Sequence, residues 1–261
     1  MPFTLAHPAA IIPIHKALGS RTSLSALVIG SMMPDLAYFV RLGVSAQTSH
    51  SLHGIFLFCV PVGLIVFALF HLLLKRPAAA LLPARMLSRL SPKSLDPPQV
   101  SGTLLLSVIL SLGLGAFTHI AWDAFTHADT LMVDRFDFLR MVIGPIGGYK
   151  LYVYKVLQHL SSLIGLLALA LWIFRWANTV TVSNQVVQVE HLPLIPRVTV
   201  IVGILVAGLA CAVMNSAARR TAGIEHMVMD AVVGGLVGTA LSASLFCLGW
   251  HVFQLYRKRS V

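Results

Sequence analysis

The stretch TLLLSVILSLGLGAFTHIAWDAFTH, residues 103–127, decides how the rest of the chain is read. From Thr103 to Trp122 it carries no Asp, Glu, Lys or Arg, matching the roughly 20 apolar residues that a helix needs to cross a hydrocarbon core. It then ends on His119-x3-Asp123-x3-His127. Residues four apart lie one above another on a helix, so two imidazoles and a carboxylate form one narrow stripe at the wet end of the span. That set suits zinc or another first-row divalent cation. The plainer alternative is that Asp123 caps a turn while the histidines anchor the helix at the interface.

Four more stretches have the same length and lack of charge: Gly54–Leu74, Val156–Phe174, Val198–Ala218 and Ala231–Tyr256. The chain is 57% hydrophobic and 11% charged, with a mean hydropathy of +0.85, whereas a soluble domain carries about a quarter of its residues as charges. The fold class that follows is all-α: a polytopic helical membrane protein with five transmembrane helices and a broken N-terminal interfacial helix. That sixth helix is read over Thr22–Val44, interrupted at Pro34 and carrying Asp35 and Arg41. Residues 1–177 are read as a metal-site core and 178–261 as a two-helix extension of the same integral domain. Lys16 follows the apolar N-terminal stretch, so the start does not read as an ordinary cleaved signal.

The formal charge of +10 does not indicate nucleic acid, because the basic residues sit in loops and in the tail Arg257-Lys258-Arg259. The linker Pro77–Val100 has leucines at helical spacing and reads as an amphipathic surface segment. Thr179–Val189 is polar and β-branched, a loop or small hairpin. Cys59, Cys211 and Cys247 lie in apolar helices at no metal-like spacing.

Five crossings sort the loops onto two sides. Lys and Arg divide nearly evenly, ten against nine, and their denser clusters assign residues 75–102, 175–197 and the tail to the cytoplasm. The other side collects His7, His15, His50, His53, His119, His127, His159 and His226, with Asp35, Asp123, Asp129, Asp134, Asp137, Glu225 and Asp230. Ionisable residues at membrane depth are costly and default to function. His50 and His53, three apart at the opening of the first span, meet the end of the antiparallel second span, so His50 approaches His119. Ser49 and Ser51 serve as caps or as hydrogen-bond partners of the rings. Asp35 needs a partner or a cation; His7, His15 and His159 are weaker signals taken singly.

The opening MPFTLAHPA, then Gly30-Ser31-Met32-Met33-Pro34-Asp35, Ser49-His50-Ser51-Leu52 and His119-x3-Asp123-x2-Thr126-His127, resemble the bacterial membrane family catalogued as domain of unknown function 4184. A more distant likeness is to predicted membrane-bound metal-dependent hydrolases and to the all-helical zinc phospholipase C and P1 nuclease superfamily. That resemblance implies His7, Asp35, His50, His119, Asp123 and His127 as metal ligands. The soluble enzymes have a carboxylate four residues after a further His and a ligating amino-terminal Trp. Here Leu163 follows His159 and the chain starts with Met1, so the implied cluster is one or two ions, zinc first, rather than three.

The leading expectation is a hydrolase of lipid or lipid-linked phosphoesters in the bacterial inner membrane, its site on the extracytoplasmic side. Asp35 or Asp123 would bridge metals or act as general base, and His53 or His159 would assist proton transfer. The alternatives are a transporter or assembly protein using the cluster for ions or protons, and a structural protein whose site has decayed.

Overall fold

Among the residues described by the computed structural model, five helices are long and apolar enough to cross a membrane: Leu52–Ala80, Gly102–Asp123, Val153–Thr179, Leu194–Ala217 and His226–Arg257, here the first to fifth spans. The polytopic all-α architecture is therefore present. The structure describes residues 4–40, 44–146, 149–180, 191–218 and 223–259. Arg41, Arg219, Arg220, Glu190 and most of the polar stretch read as a loop or hairpin (181–189) lie outside them. Contacts group the chain into two compact units, Met1–Phe67 with Gln99–Thr179 and Ala68–Pro98 with Val180–Val261.

In the first unit the second span is the most enclosed of the five, 33% of its apolar window being buried against 6% for the fourth span. Four short helices gather around its far end: α1 (Pro8–Leu18), α2 (Leu24–Gly30), α3 (Met33–Phe39) and α4 (Ala46–Ser49). Pro8 in the first turn of α1 sits where its missing N–H costs nothing. The helix stops at Gly19, whose φ of 55° lets its N–H cap the His15 carbonyl. The Ser23 side chain caps α2 by accepting from the Ala26 N–H.

The expected interfacial helix is two helices, and its break lies at Ser31–Met32 rather than at Pro34. Pro34 falls in the first turn of α3, the one part of a helix that tolerates proline. It therefore starts a helix instead of interrupting one. α1 was not anticipated, because two prolines and two histidines obscured its apolar pattern. Between the second and third spans the chain forms a short helix (Leu131–Arg135), a turn of 3-10 helix (Asp137–Arg140) and an antiparallel hairpin, β1 (Val142–Ile146) with β2 (Tyr149–Tyr152). Val133, Leu139 and Tyr154 form a small core beneath it.

α2 lies on the second span at backbone contact. A Cβ on Gly30 would sit 2.8 Å from the Leu112 Cα, and one on Gly115 would sit 2.7 Å from the Ser31 nitrogen. The entry to α2 is pinned by the Ser23 N–H donating to Ser111 Oγ (3.0 Å) and Ser107 Oγ donating to the Arg21 carbonyl (3.1 Å). Ser107, Ser111, Gly115, His119 and Asp123 thus make one stripe, each four residues from the next, and α2 follows it toward the site.

In the second unit the fourth and fifth spans pack on small residues, with Gly234 and Gly238 against Cys211. The fifth span is part of a continuous helix of 36 residues, Ile224–Arg259. His251 Nε2 donates to the Leu73 carbonyl at 2.9 Å. The linker is not one amphipathic segment: short helices Ala84–Leu87 and Pro92–Leu95 turn Leu87 and Leu95 inward onto Ala79.

Gly30→Ala or Gly115→Ala is expected to force the two backbones apart and to destabilise the protein by about 1–3 kcal/mol, the usual range for overpacking. Gly102→Ala, with open space around its Cβ position, is the matched control. Thermal unfolding in detergent reads both.

Candidate metal centre

Four side chains from three chain segments converge at the end of the second span. Asp35 stands in the first turn of α3, His50 just past α4, and His119 and Asp123 on the span itself. One donor atom from each lies within 4.8 Å of the other three. His50 Nε2 is 3.3 Å from Asp35 Oδ1 and 3.7 Å from Asp123 Oδ2; His119 Nε2 is 3.6 Å and 3.3 Å from the same two oxygens. Around a tetrahedral ion with ligands at ~2.0–2.1 Å, neighbouring donors stand ~3.3–3.4 Å apart. Two of the four nitrogen-to-oxygen separations equal that edge and the other two are a few tenths of an ångström longer. Asp35 and His119 are buried, Asp123 nearly so, and His50 leaves the one partly open side.

His119 Nδ1 donates to the Ser31 carbonyl at 2.7 Å, His50 Nδ1 to the Ala46 carbonyl at 2.9 Å, and His7 Nδ1 to the Thr4 carbonyl at 3.3 Å. A carbonyl only accepts, so each Nδ1 carries a proton and each ring turns its Nε2 toward a carboxylate. Each Nε2 pairs with a carboxylate as an N–H donor when the ring is charged, and is free to bind a cation there when it is neutral. Among the described residues, Asp35 Oδ1 and His119 Nε2 are buried with no hydrogen-bond partner, a state native proteins avoid unless an ion or water completes it. The donors present therefore fit a divalent cation.

The other carboxylate oxygens are already held. Thr4 Oγ1 donates to Asp35 Oδ2 at 2.5 Å. Asp123 Oδ1 turns from the four-residue group toward His7 Nε2 (3.2 Å) and His127 Nδ1 (3.6 Å). The His7 ring stacks on His119, centroids 3.7 Å apart and planes within 15°. His127 Nε2 is also buried and unpartnered. Burial pushes the His127 imidazole below its ordinary value, outweighing the Asp123 charge that pushes it up. For Asp35, burial raises the carboxyl, but the neighbouring His119 and His50 rings and the Thr4 hydroxyl outweigh it. The carboxyl is held below the usual carboxylate range and is ionised at neutral pH.

Of the eight site residues named from sequence, six are brought together: Asp35, His50, His119 and Asp123 in the cage, with His7 and His127 against the far oxygen of Asp123. His53 and His159 are exposed and lie outside the four-residue group. His50 and His53 do not share one helical face, because α4 ends at Ser49 and the next helix begins at Leu52. Ser51 caps that new start through the Gly54 N–H, while Ser49 Oγ donates to the Pro34 carbonyl at 2.8 Å and lies 3.1 Å from His50 Nδ1. Next to His159, Gln158 is the buried polar side chain.

Sequence reasoning missed Thr4, Ser31 and Tyr38. Thr4 lies three residues before His7, one turn away, which was a usable signal. Ser31 acts through its main-chain carbonyl and leaves none. The Tyr38 ring meets the His50 ring edge-on at 5.7 Å. Burial and the Asp35 and Asp123 charges push its hydroxyl above its ordinary value, so it stays protonated.

Thr4→Val would strand Asp35 Oδ2 without a donor. Such a loss costs about 1–3 kcal/mol, and unfolding of the metal-free protein is expected to move by that amount, with Thr4→Ser restoring most of it.

No curated protein and no solved structure matches the chain. A family defined by sequence does match, over residues 1–247, which is nearly the whole length and includes every residue of the cage. The chain belongs to the family described as Domain of unknown function (DUF4184).

Proposed function

We propose that the chain is a membrane-bound, divalent-metal-dependent hydrolase acting on phosphoesters of lipids or lipid-linked carriers. The observation that carries this reading is the pair of orphaned, buried atoms, Asp35 Oδ1 and His119 Nε2, inside a group whose imidazoles commit Nδ1 to backbone carbonyls. Zinc is the first candidate, given two nitrogen and two carboxylate donors converging on one point. A second ion, if bound, would be held by Asp123 with His7 and His127, which lie against its outer oxygen. The membrane is assigned as a bacterial plasma membrane, with the site on the extracytoplasmic face.

When bound, such an ion acidifies a water and polarises the phosphoryl oxygen. The chain supplies the rest. Asp35 and Asp123 hold negative charge at fixed positions, and one of them would take the proton released from the attacking water. Its oxygen forms the new bond to phosphorus as the bond to the leaving alcohol breaks. His50 borders the open side, the Tyr38 ring meets it edge-on, and the Tyr38 hydroxyl would donate the proton that the leaving oxygen needs. His53 and His159 take no part in this scheme.

Purified protein is expected to carry about one or two equivalents of zinc by elemental analysis. His119→Ala with Asp123→Ala is expected to remove it, while His53→Ala and His159→Ala retain it. Tyr38→Phe is expected to keep the metal and to lower turnover of a lipid phosphoester about 10²–10⁴-fold. Protein that never holds metal would remove the proposal.

A second reading has a specific observation behind it: Asp35, His119 and Asp123 are buried and His50 only partly exposed, as in a site that binds an ion without exposing it. Metal flux into proteoliposomes, with no phosphoester turnover, would favour a transporter or assembly role instead.

A further inference from the structure

The segment joining the second and third spans carries an apolar surface that no described residue of the first unit covers. Leu131, Phe136, Phe138, Met141, Val142 and Ile143 are all exposed, Leu131 by 75% and Met141 by 62%. Their neighbours Val133 and Leu139 are almost completely buried. The segment thus has an inner apolar face that packs and an outer one of comparable size that does not.

The hairpin sharpens the point. Successive strand residues face opposite sides of a sheet, yet Val142 and Ile143 are both exposed, with an irregularity in register between Val142 and Gly144. A lone two-stranded hairpin is marginal in water, and soluble monomers rarely present contiguous apolar patches of this kind. Polar groups border the patch: Arg140 pairs with Asp134 at 3.4 Å, and Arg135 and Lys150 are exposed. Tyr152 and Tyr154 stack at its base, where the third span begins.

The occupant follows from where the segment is attached. It leaves the second span at Asp123 and enters the third at Val153, so both of its ends lie at one water–lipid boundary. Apolar side chains interleaved with basic ones and rimmed by tyrosine are what that boundary selects. We propose that residues 131–146 and 149–152 form a wedge seated in the headgroup and upper acyl region of the leaflet onto which the metal centre opens. The proposal rests on the spans and not on the metal. Its consequence for the site is that the Asp123 end of the second span is held at headgroup depth.

The test uses full-length protein in vesicles of phosphatidylethanolamine and phosphatidylglycerol. Ile143→Cys, Met141→Cys and Phe138→Cys each receive an environment-sensitive fluorophore, and background labelling of the native cysteines is measured on the unsubstituted chain. Leu110→Cys, exposed at mid-span, marks the bilayer interior. Wedge labels are expected to emit blue-shifted light and to lose more intensity to lipids with nitroxides at shallow acyl carbons than at deep ones. Leu110→Cys should show the opposite order. Labels quenched by aqueous iodide and untouched by nitroxide lipids would overturn the proposal. So would labels shielded from both quenchers, with self-quenching that grows with protein density, which would mean that a second copy covers the face.

Discussion

The site exists because two backbones touch. α2 and the second span meet through Gly30 and Gly115, and no side chain larger than hydrogen fits at either place. That contact sets the height of α2 along the span. The Ser31 carbonyl then reaches His119 Nδ1, and α3 begins where Asp35 faces the same ring. Farther back along the same face, Ser111 and Ser107 hold the other end of α2. Each is spaced from the next by a single turn, so one helical stripe serves first as a seam and then as a set of ligands. Because a hydrocarbon environment offers no water to satisfy stray polar groups, the hydroxyls on this stripe have both a structural reason and a positional one.

Charge in the site is organised by the main chain more than by neighbouring charges. Three imidazoles hand their Nδ1 protons to the carbonyls of Ser31, Ala46 and Thr4. A carbonyl has two lone pairs, so those of Ala46 and Thr4 take a ring N–H besides the main-chain N–H they already accept, and they fix which nitrogen faces the carboxylates. The broken N-terminal region, costly as it is in backbone hydrogen bonds, provides these carbonyls. Ser49 belongs to the same system, tying α4 to the Pro34 carbonyl and so holding His50 opposite Asp35.

Much of this was legible beforehand. Hydropathy fixes the five spans, because lipid imposes one requirement on every crossing. The stripe rule found His119 and Asp123, and the antiparallel return of the chain correctly brought His50 to them. Failures have physical causes. His53 was placed beside His50 by counting along a helix that actually stops between them. Pro34 was read as a breaker although it occupies a first turn. α1 and the hairpin escaped because their apolar patterns are short and interrupted. Carbonyl partners such as that of Ser31 have no signature in residue type, and only coordinates reveal them.

At about 1.5 Å per residue, the 36-residue helix that ends the chain measures roughly 54 Å. A hydrocarbon core is only about 30 Å thick. Upright, this rod would stand clear of the acyl chains; leaning, bending or a locally thicker bilayer each keeps more of its apolar surface covered. A helix of this length is therefore sensitive to bilayer thickness.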